Sequence, residues 1–157
     1  VKRAFELGVN FIDTANCYAH GTSEKYIGAA LRDLGIPRDE VVLASKVFFN
    51  EGGLSREAIN REIDARSRAW ARTTSTSISS IALITTHPSR RPWRHLTPRP
   101  RRQVRALGAS AMYAYQLHNM QVVAEQNGWT QFTSIQCHYN LLYREDEREM
   151  IPRLPSV

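Results

Sequence analysis

The chain has 157 residues, 42% of them apolar, and a formal net charge of +6. This length is sufficient for one domain with a core, and the apolar fraction is ordinary for a globular protein. No apolar run reaches about 18 residues and no signal-peptide pattern opens the chain, so we predict no membrane span. The two cysteines, Cys17 and Cys137, lack metal-binding spacing. We therefore expect a reduced, cytoplasmic protein without a metal site.

The positive charge is confined to one segment. Residues 66–105 contain ten arginines, twelve serines and threonines, four of the seven prolines, and neither Asp nor Glu. The other 117 residues contain 11 Lys and Arg against 15 Asp and Glu, a balance of −4. Trp70 and Trp93 are the segment's only aromatic residues, too few for the interleaved pattern of single-strand binders. We predict a tract of low order and no nucleic-acid partner, and DNA binding by this tract stays as an alternative.

Outside this segment, short apolar runs typical of buried strands alternate with apolar residues at helical spacing. The predicted strands are 9–15, 40–48, 104–110 and 132–140. The predicted helices are 23–35, 55–65 and 112–128, with a further one beginning in 144–151. Helix capping preferences make Ser23 and Ser55 predicted N-caps, and Gly35 and Gly128 predicted C-terminal stops. The alternation predicts an α/β fold built from parallel βαβ units.

Polar residues at strand ends favour a barrel over an open sheet. No GxGxxG sequence follows a predicted strand, which disfavours a doubly wound dinucleotide-binding sheet. Instead, the carboxyl ends of four different predicted strands carry Asp13, Lys46, Ser110 and Gln136. Active sites assembled from several strand ends are typical of (β/α)₈ TIM barrels. Such a barrel needs roughly 250 residues, and this chain begins within a predicted helix, so we predict a fragment that forms a partial barrel.

Four segments occur in an order that identifies a family: AFELGVNFIDTANCYAHGTSEKYIGAAL, VVLASKV, VRALGASAMYAYQ and QCHYNLLYREDEREMIP. They resemble the aldo-keto reductases, in particular the bacterial and fungal branch near the aryl-alcohol dehydrogenases. The resemblance covers residues 1–65 and 104–152. It implies that residues 1–157 are one incomplete domain with about strands 2 to 6 of a (β/α)₈ barrel. It also implies an NADPH-dependent oxidoreductase whose partner is a small-molecule carbonyl or alcohol substrate.

Reduction of a carbonyl requires a hydride on carbon and a proton on oxygen, and Asp13, Tyr18 and Lys46 suit the proton transfer. An ammonium beside a phenol favours the phenolate that remains after the proton has left. A carboxylate beside that ammonium would hold it charged and oriented. The resemblance implies the same roles, with Tyr18 as general acid and Lys46 and Asp13 as its partners. It further implies that Asp13, Ser110 and Gln136 contact the ribose and nicotinamide of NADPH.

The resemblance also implies a histidine at the end of the fourth strand, near Ile81, where this sequence has none. His87 follows the apolar residues IALI, so a displaced histidine at the end of a rescued strand is one alternative. The resemblance places the 2′-phosphate site of NADPH beyond Val157. With strands missing as well, we predict that this chain has no measurable reductase activity. A non-catalytic, NADPH-binding relative remains an alternative to a damaged reductase.

A shift of reading frame gives a more specific account of the missing histidine. Read one base out of register, codons for residues 68–97 can encode RLGTDYIDLYQFHRAYHDPPVEETMEALD, which resembles the family's fourth strand, its histidine and the next helix. The codons of Trp70 and Ala71 together force the glycine of that string. We therefore predict that residues 66–103 are translated out of frame, with the histidine codon straddling Ser80 and Ile81. In this hypothesis the fourth strand and its helix are disrupted.

Overall fold

Five parallel strands form one sheet in the computed structural model, which describes residues 1–47, 51–53, 55–70, 80–85 and 106–154. The strands are β1 Phe11–Asp13, β2 Val42–Val47, β3 Ser80–Thr85, β4 Ala106–Ser110 and β5 Ser134–Gln136. Each strand is hydrogen-bonded in parallel to the next, in the order β1-β2-β3-β4-β5. Helices connect β1 to β2, β2 to β3 and β4 to β5, so the predicted α/β fold with parallel units is confirmed.

The α-helices are α1 Lys2–Glu6, α2 Thr22–Asp33, α3 Arg56–Trp70, α4 Ala114–Gln126 and α5 Met150–Arg153. Short 3₁₀ helices occupy Tyr18–Gly21, Arg38–Glu40 and Glu145–Glu147. Gly35 and Gly128 follow α2 and α4 with φ of 62° and 64°, values that suit glycine, so both predicted stops are confirmed. Within the described ranges, no helix has the length and apolar character needed to cross a membrane.

The two predicted N-caps have different outcomes. Ser55 precedes α3, and its Oγ accepts a hydrogen bond from the Ala58 backbone N–H at 3.2 Å, which confirms the cap. The cap predicted at Ser23 is wrong, because α2 already begins at Thr22. The Ser23 hydroxyl instead lies 2.8 Å from Thr14 Oγ1. This serine therefore joins a helix to a strand and does not begin the helix.

Both faces of β2 are buried, as expected for a parallel strand covered on two sides. On the face that is turned toward the helices, Leu43 packs in a cluster with Leu31 and Val41, beneath α2. Val47 belongs to a second cluster, which includes Leu107 and other apolar residues of β4, α3, α4 and α5. The core therefore lies between the sheet and its helices, and β2 is held firmly at the position from which Lys46 projects.

A strand, β3, forms within the segment where a disrupted strand was predicted, so the structure corrects that prediction for residues 80–85. It pairs with β2 on one side, where Leu83 lies opposite Lys46, and with β4 on the other. Its sequence, SIALIT, includes Ile81 and Ile84, and β-branched residues favour strands. An apolar run of this kind can complete the backbone hydrogen bonds between two neighbouring strands. His87 and the segment after β3, where the next helix was predicted to be disrupted, lie outside the described residues, so both predictions remain untested.

The sheet is strongly curved. β1 and β5 are separated by four strand spacings, so their axes would lie about 19 Å apart in a flat sheet. Nevertheless, Gln136 Nε2 of β5 donates a hydrogen bond to Asp13 Oδ2 of β1 at 3.0 Å. An Asp and a Gln side chain together cannot bridge the distance expected in a flat sheet. The first and last strands must therefore bend toward each other, which gives the sheet a concave face on which these side chains meet.

Candidate active site

Lys46 lies at the centre of the site, with a side chain that is only 11% exposed. Its Nζ donates to Asp13 Oδ2 at 2.5 Å, to the Thr14 carbonyl oxygen at 3.2 Å and to the Tyr18 hydroxyl oxygen at 3.2 Å. It also lies 5.0 Å from the centroid of the Tyr18 ring. The structure thus brings together the three residues that the sequence singled out for proton transfer.

The strand register explains why Asp13 and Lys46 meet. Asp13 ends β1 and lies opposite Ala44 of β2, two residues before Lys46. Since side chains two residues apart point to the same face of a strand, Lys46 projects on the face of Ala44, just beyond the end of β1. Its long side chain can therefore reach back to the carboxylate.

A turn with unusual backbone geometry positions Tyr18. The Tyr18 N–H donates to the Ala15 carbonyl at 3.2 Å, so the chain turns directly after β1. The next residues, Ala19 and His20, have φ of 47° and 54°, and Gly21 has φ of 80°. Positive φ is uncommon outside glycine, and two such residues in succession mark a strained segment. The turn returns the phenol toward Lys46 and leaves the tyrosine 45% exposed.

The contact between Lys46 and Tyr18 has a direction. An ammonium has no acceptor, so the phenolic oxygen must accept the hydrogen bond from Nζ. The Tyr18 O–H is then left to donate to another acceptor. Because the tyrosine is 45% exposed, that acceptor can come from outside the protein. The trio can thus deliver a proton from Tyr18 while a positive charge stays beside the oxygen that loses it.

The predicted cofactor residues stand at the carboxyl ends of β1, β4 and β5. Ser110 is 6% exposed and lies opposite Gln136 in the strand register. The N–H of Ala111 donates to the Gln136 carbonyl at 3.2 Å, and Ala111 has φ of 52°. The Gln136 amide reaches Asp13. This set has donors and acceptors suited to the nicotinamide end of a dinucleotide, because a carboxylate can accept from ribose hydroxyls, and an amide and a hydroxyl can pair with a carboxamide.

β3 contributes no histidine to the site, since its six residues are SIALIT. In the part of the chain that the structure describes, His20, His118 and His138 are all exposed. The His138 ring lies 4.8 Å from that of Tyr143, which places it beside the loop after β5. Among the same residues, no group of three or more His, Cys, Asp or Glu is placed to hold a metal ion.

The sequence reading did not identify the polar contacts behind the site. Ser45 Oγ donates to Glu24 Oε1 at 2.6 Å, and Thr14 pairs with Ser23. Asn16 Nδ2 donates to Glu62 Oε2 at 3.0 Å, which ties the loop before Tyr18 to α3. A signal was present, because Thr14 and Ser45 are polar residues next to Asp13 and Lys46 within apolar strands. Their partners in the helices could not be inferred from spacing alone.

A cavity of about 510 Å³ adjoins the end of β5. Its lining comes from residues 111–114, 137–138, 143, 145–146 and 148–150. Cys137 lies at its wall, partly buried against the larger core cluster. Burial, and then the charge and hydrogen bond of Asp146, raise the pKa of the Cys137 thiol to about 11. This thiol is therefore kept protonated, which disfavours a role as a nucleophile.

Comparison with known proteins defines the class of this α/β protein. The sequence profile of the aldo/keto reductase family matches residues 1–154. Aldo-keto reductase AMT2 of Alternaria alternata is 36% identical over 182 residues, a match to 96% of this chain and 49% of that protein. A Schizosaccharomyces pombe protein provisionally described as an aryl-alcohol dehydrogenase is 34% identical over 181 residues, covering 97% of this chain and 51% of that protein. The chain belongs to the aldo/keto reductase family, as the sequence motifs predicted.

The comparisons also define the size of the match and the fold. The chain spans about half the length of these relatives. The alignment with the Alternaria protein has 182 positions against 157 residues here, so at least 25 positions of that alignment face gaps in this chain. A crystal structure described provisionally as a 2,5-diketo-D-gluconic acid reductase B superposes with a TM-score of 0.68 at 22% identity. That match covers 87% of this chain and 46% of the other, and it shows a shared fold.

Proposed function

We propose that this chain carries the proton-transfer site of an NADPH-dependent reductase of aldehydes and ketones. The contact of Lys46 Nζ with both Asp13 Oδ2 at 2.5 Å and the Tyr18 oxygen at 3.2 Å is the observation on which the proposal rests. Membership of the aldo/keto reductase family supports an oxidoreductase. The substrate is a small molecule with a carbonyl group, or the matching alcohol in the reverse direction.

In the proposed reaction, Tyr18 is the general acid. Its hydroxyl proton passes to the carbonyl oxygen of the substrate as the carbonyl carbon is reduced. The phenolate that remains is stabilised by the Lys46 ammonium, which already donates to that oxygen. Asp13 holds Lys46 charged and in place through the short contact at Oδ2. The lysine therefore contacts both oxygens before and after the proton leaves, and proton transfer requires no rearrangement of its side chain.

The cofactor in this proposal is NADPH, which supplies the hydride when bound. Asp13 would accept hydrogen bonds from the ribose, and Ser110 and Gln136 would hold the carboxamide of the nicotinamide. The hydrogen bond between Gln136 and Asp13 supports this arrangement, because it places the two proposed contact groups side by side. These residues would accelerate the reaction by holding the nicotinamide in a fixed orientation, since a reactant fixed near its partner reacts far faster than one that diffuses.

We further propose that the five strands are about strands 2 to 6 of a (β/α)₈ barrel. The strand order, which follows the chain without reversal, supports this assignment. So does the contact between β1 and β5, because strands four positions apart face each other across the interior of an eight-stranded barrel. In this assignment β3 is the fourth barrel strand, at whose end the family's histidine is expected.

The chain by itself is proposed to be inactive. Its β3 carries no histidine, and its match covers about half of each relative. A second candidate is a non-catalytic relative that binds NADPH without reducing a substrate. It is favoured by the presence of the cofactor set, Asp13, Ser110 and Gln136, beside a strand that lacks the histidine. NADPH binding without consumption of NADPH in the presence of an aromatic aldehyde would support the second candidate.

A chimera tests whether the trio can act in a complete protein. Residues 1–47, which contain the whole trio, replace the matching segment of the Alternaria alternata aldo-keto reductase AMT2. We expect the chimera to reduce an aromatic aldehyde with loss of NADPH absorbance. Tyr18→Phe should then lower kcat by about 10²- to 10⁴-fold, the usual contribution of a general acid. The unmodified Alternaria protein, assayed first, is the positive control.

Tyr26→Phe is the matched control, because Tyr26 lies in α2 and is 71% exposed. It should leave kcat unchanged. A chimera whose kcat survives Tyr18→Phe would contradict the general-acid role. A folded chimera that binds NADPH without turnover would favour the non-catalytic candidate.

A further inference from the structure

The strands that carry the trio show a second pattern on their opposite face. Successive residues of a strand point to opposite sides of the sheet. Asp13 and Lys46 meet on the concave side, and their chain neighbours Thr14 and Ser45 point toward the helices. Both neighbours are polar and almost fully buried, Thr14 at 0% and Ser45 at 3% exposed. Each charged residue of the trio is thus adjacent in the chain to a buried hydroxyl on the other face.

Two consecutive residues of α2 form hydrogen bonds with these hydroxyls. Ser23 Oγ lies 2.8 Å from Thr14 Oγ1, and Glu24 Oε1 accepts from Ser45 Oγ at 2.6 Å. Glu24 is 6% exposed. A buried carboxylate is costly unless it is hydrogen-bonded, and an apolar side chain would fill the same space without that cost. The choice of Glu at this position therefore points to the bond itself and not to packing.

The loop that carries Tyr18 is held in a comparable way. Asn16, two residues before Tyr18, donates from its side chain to Glu62 of α3 at 3.0 Å. Its backbone N–H lies 3.4 Å from the Lys46 carbonyl, as donor to that oxygen. Side-chain contacts to the helix layer therefore lie within two residues of all three members of the trio.

We propose that Ser23 and Glu24 are positioning residues, which fix the separation of Asp13 and Lys46 by holding the backs of β1 and β2. Ser23 acts through Thr14, and Glu24 acts through Ser45. A hydrogen bond to a charged acceptor is about twice as strong as a neutral one, and it is strengthened further by a low-dielectric interior. A rigid link of this kind keeps the Lys46 ammonium against Asp13 and Tyr18. The effect of this positioning on catalysis rests on the proposed function. The position of Lys46 itself can be tested without an activity assay.

The test measures how well Lys46 is protected from an amine-reactive reagent. The whole chain is labelled with trace acetic anhydride, and mass spectrometry gives the rate at Lys46 relative to exposed Lys2 of the same molecule. Ser45→Ala removes one hydroxyl and should raise the relative rate at Lys46 about fivefold, the equivalent of one lost hydrogen bond. Glu24→Ala should do the same. Glu24→Gln should remain within about twofold of the unaltered chain, because the amide oxygen can accept the same bond.

Glu125→Ala is the control, since Glu125 is an exposed residue of α4. An unchanged Lys46 rate in Ser45→Ala, with cooperative unfolding retained, overturns the proposal. So does a Glu24→Gln variant that is as reactive as Glu24→Ala. If these variants do not fold, Ser23→Ala, which removes a partly buried hydroxyl, is judged by the same fivefold rise.

The two proposals can fail separately. In one outcome, the Lys46 labelling rate stays unchanged in the variants while the kcat of the chimera still falls on Tyr18→Phe. This outcome would contradict the positioning role and leave the proposed function intact. A clear labelling response, with a chimera indifferent to Tyr18→Phe, would leave the positioning of Lys46 and remove its use in reduction.

Discussion

The Lys46 side chain is only 11% exposed, and its ammonium is paired with a carboxylate at short range. Asp13, whose side chain is 28% exposed, supplies the counter-charge. The same carboxylate oxygen accepts from Gln136, so one atom of β1 links β2 to β5. An uncompensated buried charge would destabilise the protein far more than a paired one. Asp13 therefore has a structural task as well as a proposed chemical one.

Cys137 provides a test of local electrostatics that is independent of catalysis. Burial first, and then Asp146, raise its pKa from 9.0 to about 11. The folded chain therefore keeps this thiol protonated between pH 9 and about 11, whereas the unfolded chain ionises it. Since the unfolded state binds fewer protons in that window, this thiol's contribution to stability is present below pH 9 and is lost as the pH rises toward about 11.

We expect alkylation of Cys137, followed by mass spectrometry in a Cys17→Ser background, to have its midpoint near pH 11 in the folded chain. In urea the midpoint should fall to about pH 9. Asp146→Asn should lower the folded midpoint without reaching the value in urea, because burial, the largest cause, is unchanged. A folded midpoint equal to that in urea would contradict the prediction.

The trio shows which parts of the site can be predicted from sequence. Asp13 and Lys46 could be placed together because both end parallel strands, and such strands end at the same edge of a sheet. Tyr18 could not be placed from spacing, since its position depends on positive φ at Ala19 and His20, neither of which is glycine. Its assignment came from the chemistry of a phenol beside an ammonium and from the family resemblance, not from strand geometry. The contact from Gln136 to Asp13 depends on the curvature of the sheet, which no local pattern encodes.

Among the secondary-structure elements, it was easier to predict from sequence that a strand forms than that a strand is lost. The four strands outside the arginine-rich segment were predicted by their apolar runs, and their bounds are shorter in the structure than in the sequence prediction. β3 was predicted to be lost, yet it forms ladders with both neighbours. The apolar run IALI had suggested a rescued strand only as an alternative, because the ten arginines of the whole segment favoured low order. A local run of six residues is enough to fill a gap between two strands.

The turn after β1 offers a test at the same level. Ala19 has φ of 47°, and a non-glycine residue there costs roughly 1 kcal/mol or more. Ala19→Gly should therefore raise the free energy of unfolding by about 0.5–1 kcal/mol, after the greater freedom of glycine in the unfolded chain is subtracted. Urea unfolding measures the change.

Ala30→Gly is the matched control, because the same substitution in the helical backbone of α2 should lower the free energy of unfolding by about 1 kcal/mol. Opposite signs for the two variants are the expected result. Destabilisation by Ala19→Gly as large as that by Ala30→Gly would show that the turn is not strained.

At the scale of the whole molecule, one segment has a charge unlike the rest of the chain, although the family match extends across it. Residues 66–105 hold ten arginines and no acidic residue, whereas the remaining 117 residues have a balance of −4. The family profile nevertheless matches through to residue 154. A segment that differs so sharply from both of its flanks is the pattern expected of a local change of reading frame. The frame hypothesis for residues 66–103 stays a prediction, and the nucleotide sequence tests it directly.

The reading-frame prediction has a physical consequence that can be measured on the protein. Replacing residues 68–97 with the out-of-frame string exchanges five arginines for two arginines and seven acidic residues, so the formal net charge changes from +6 to −4. The new string supplies a histidine and an amphipathic segment after it. We expect a higher soluble yield and a higher midpoint of thermal unfolding, because apolar residues at regular spacing can offset the entropy of ordering the segment.

A scrambled string of equal length and charge is the control, since it reproduces the change in charge without the pattern. Equal gains from both strings would assign the effect to charge alone. A nucleotide sequence in which no single-base shift near codons 66 and 103 restores the family string would refute the hypothesis.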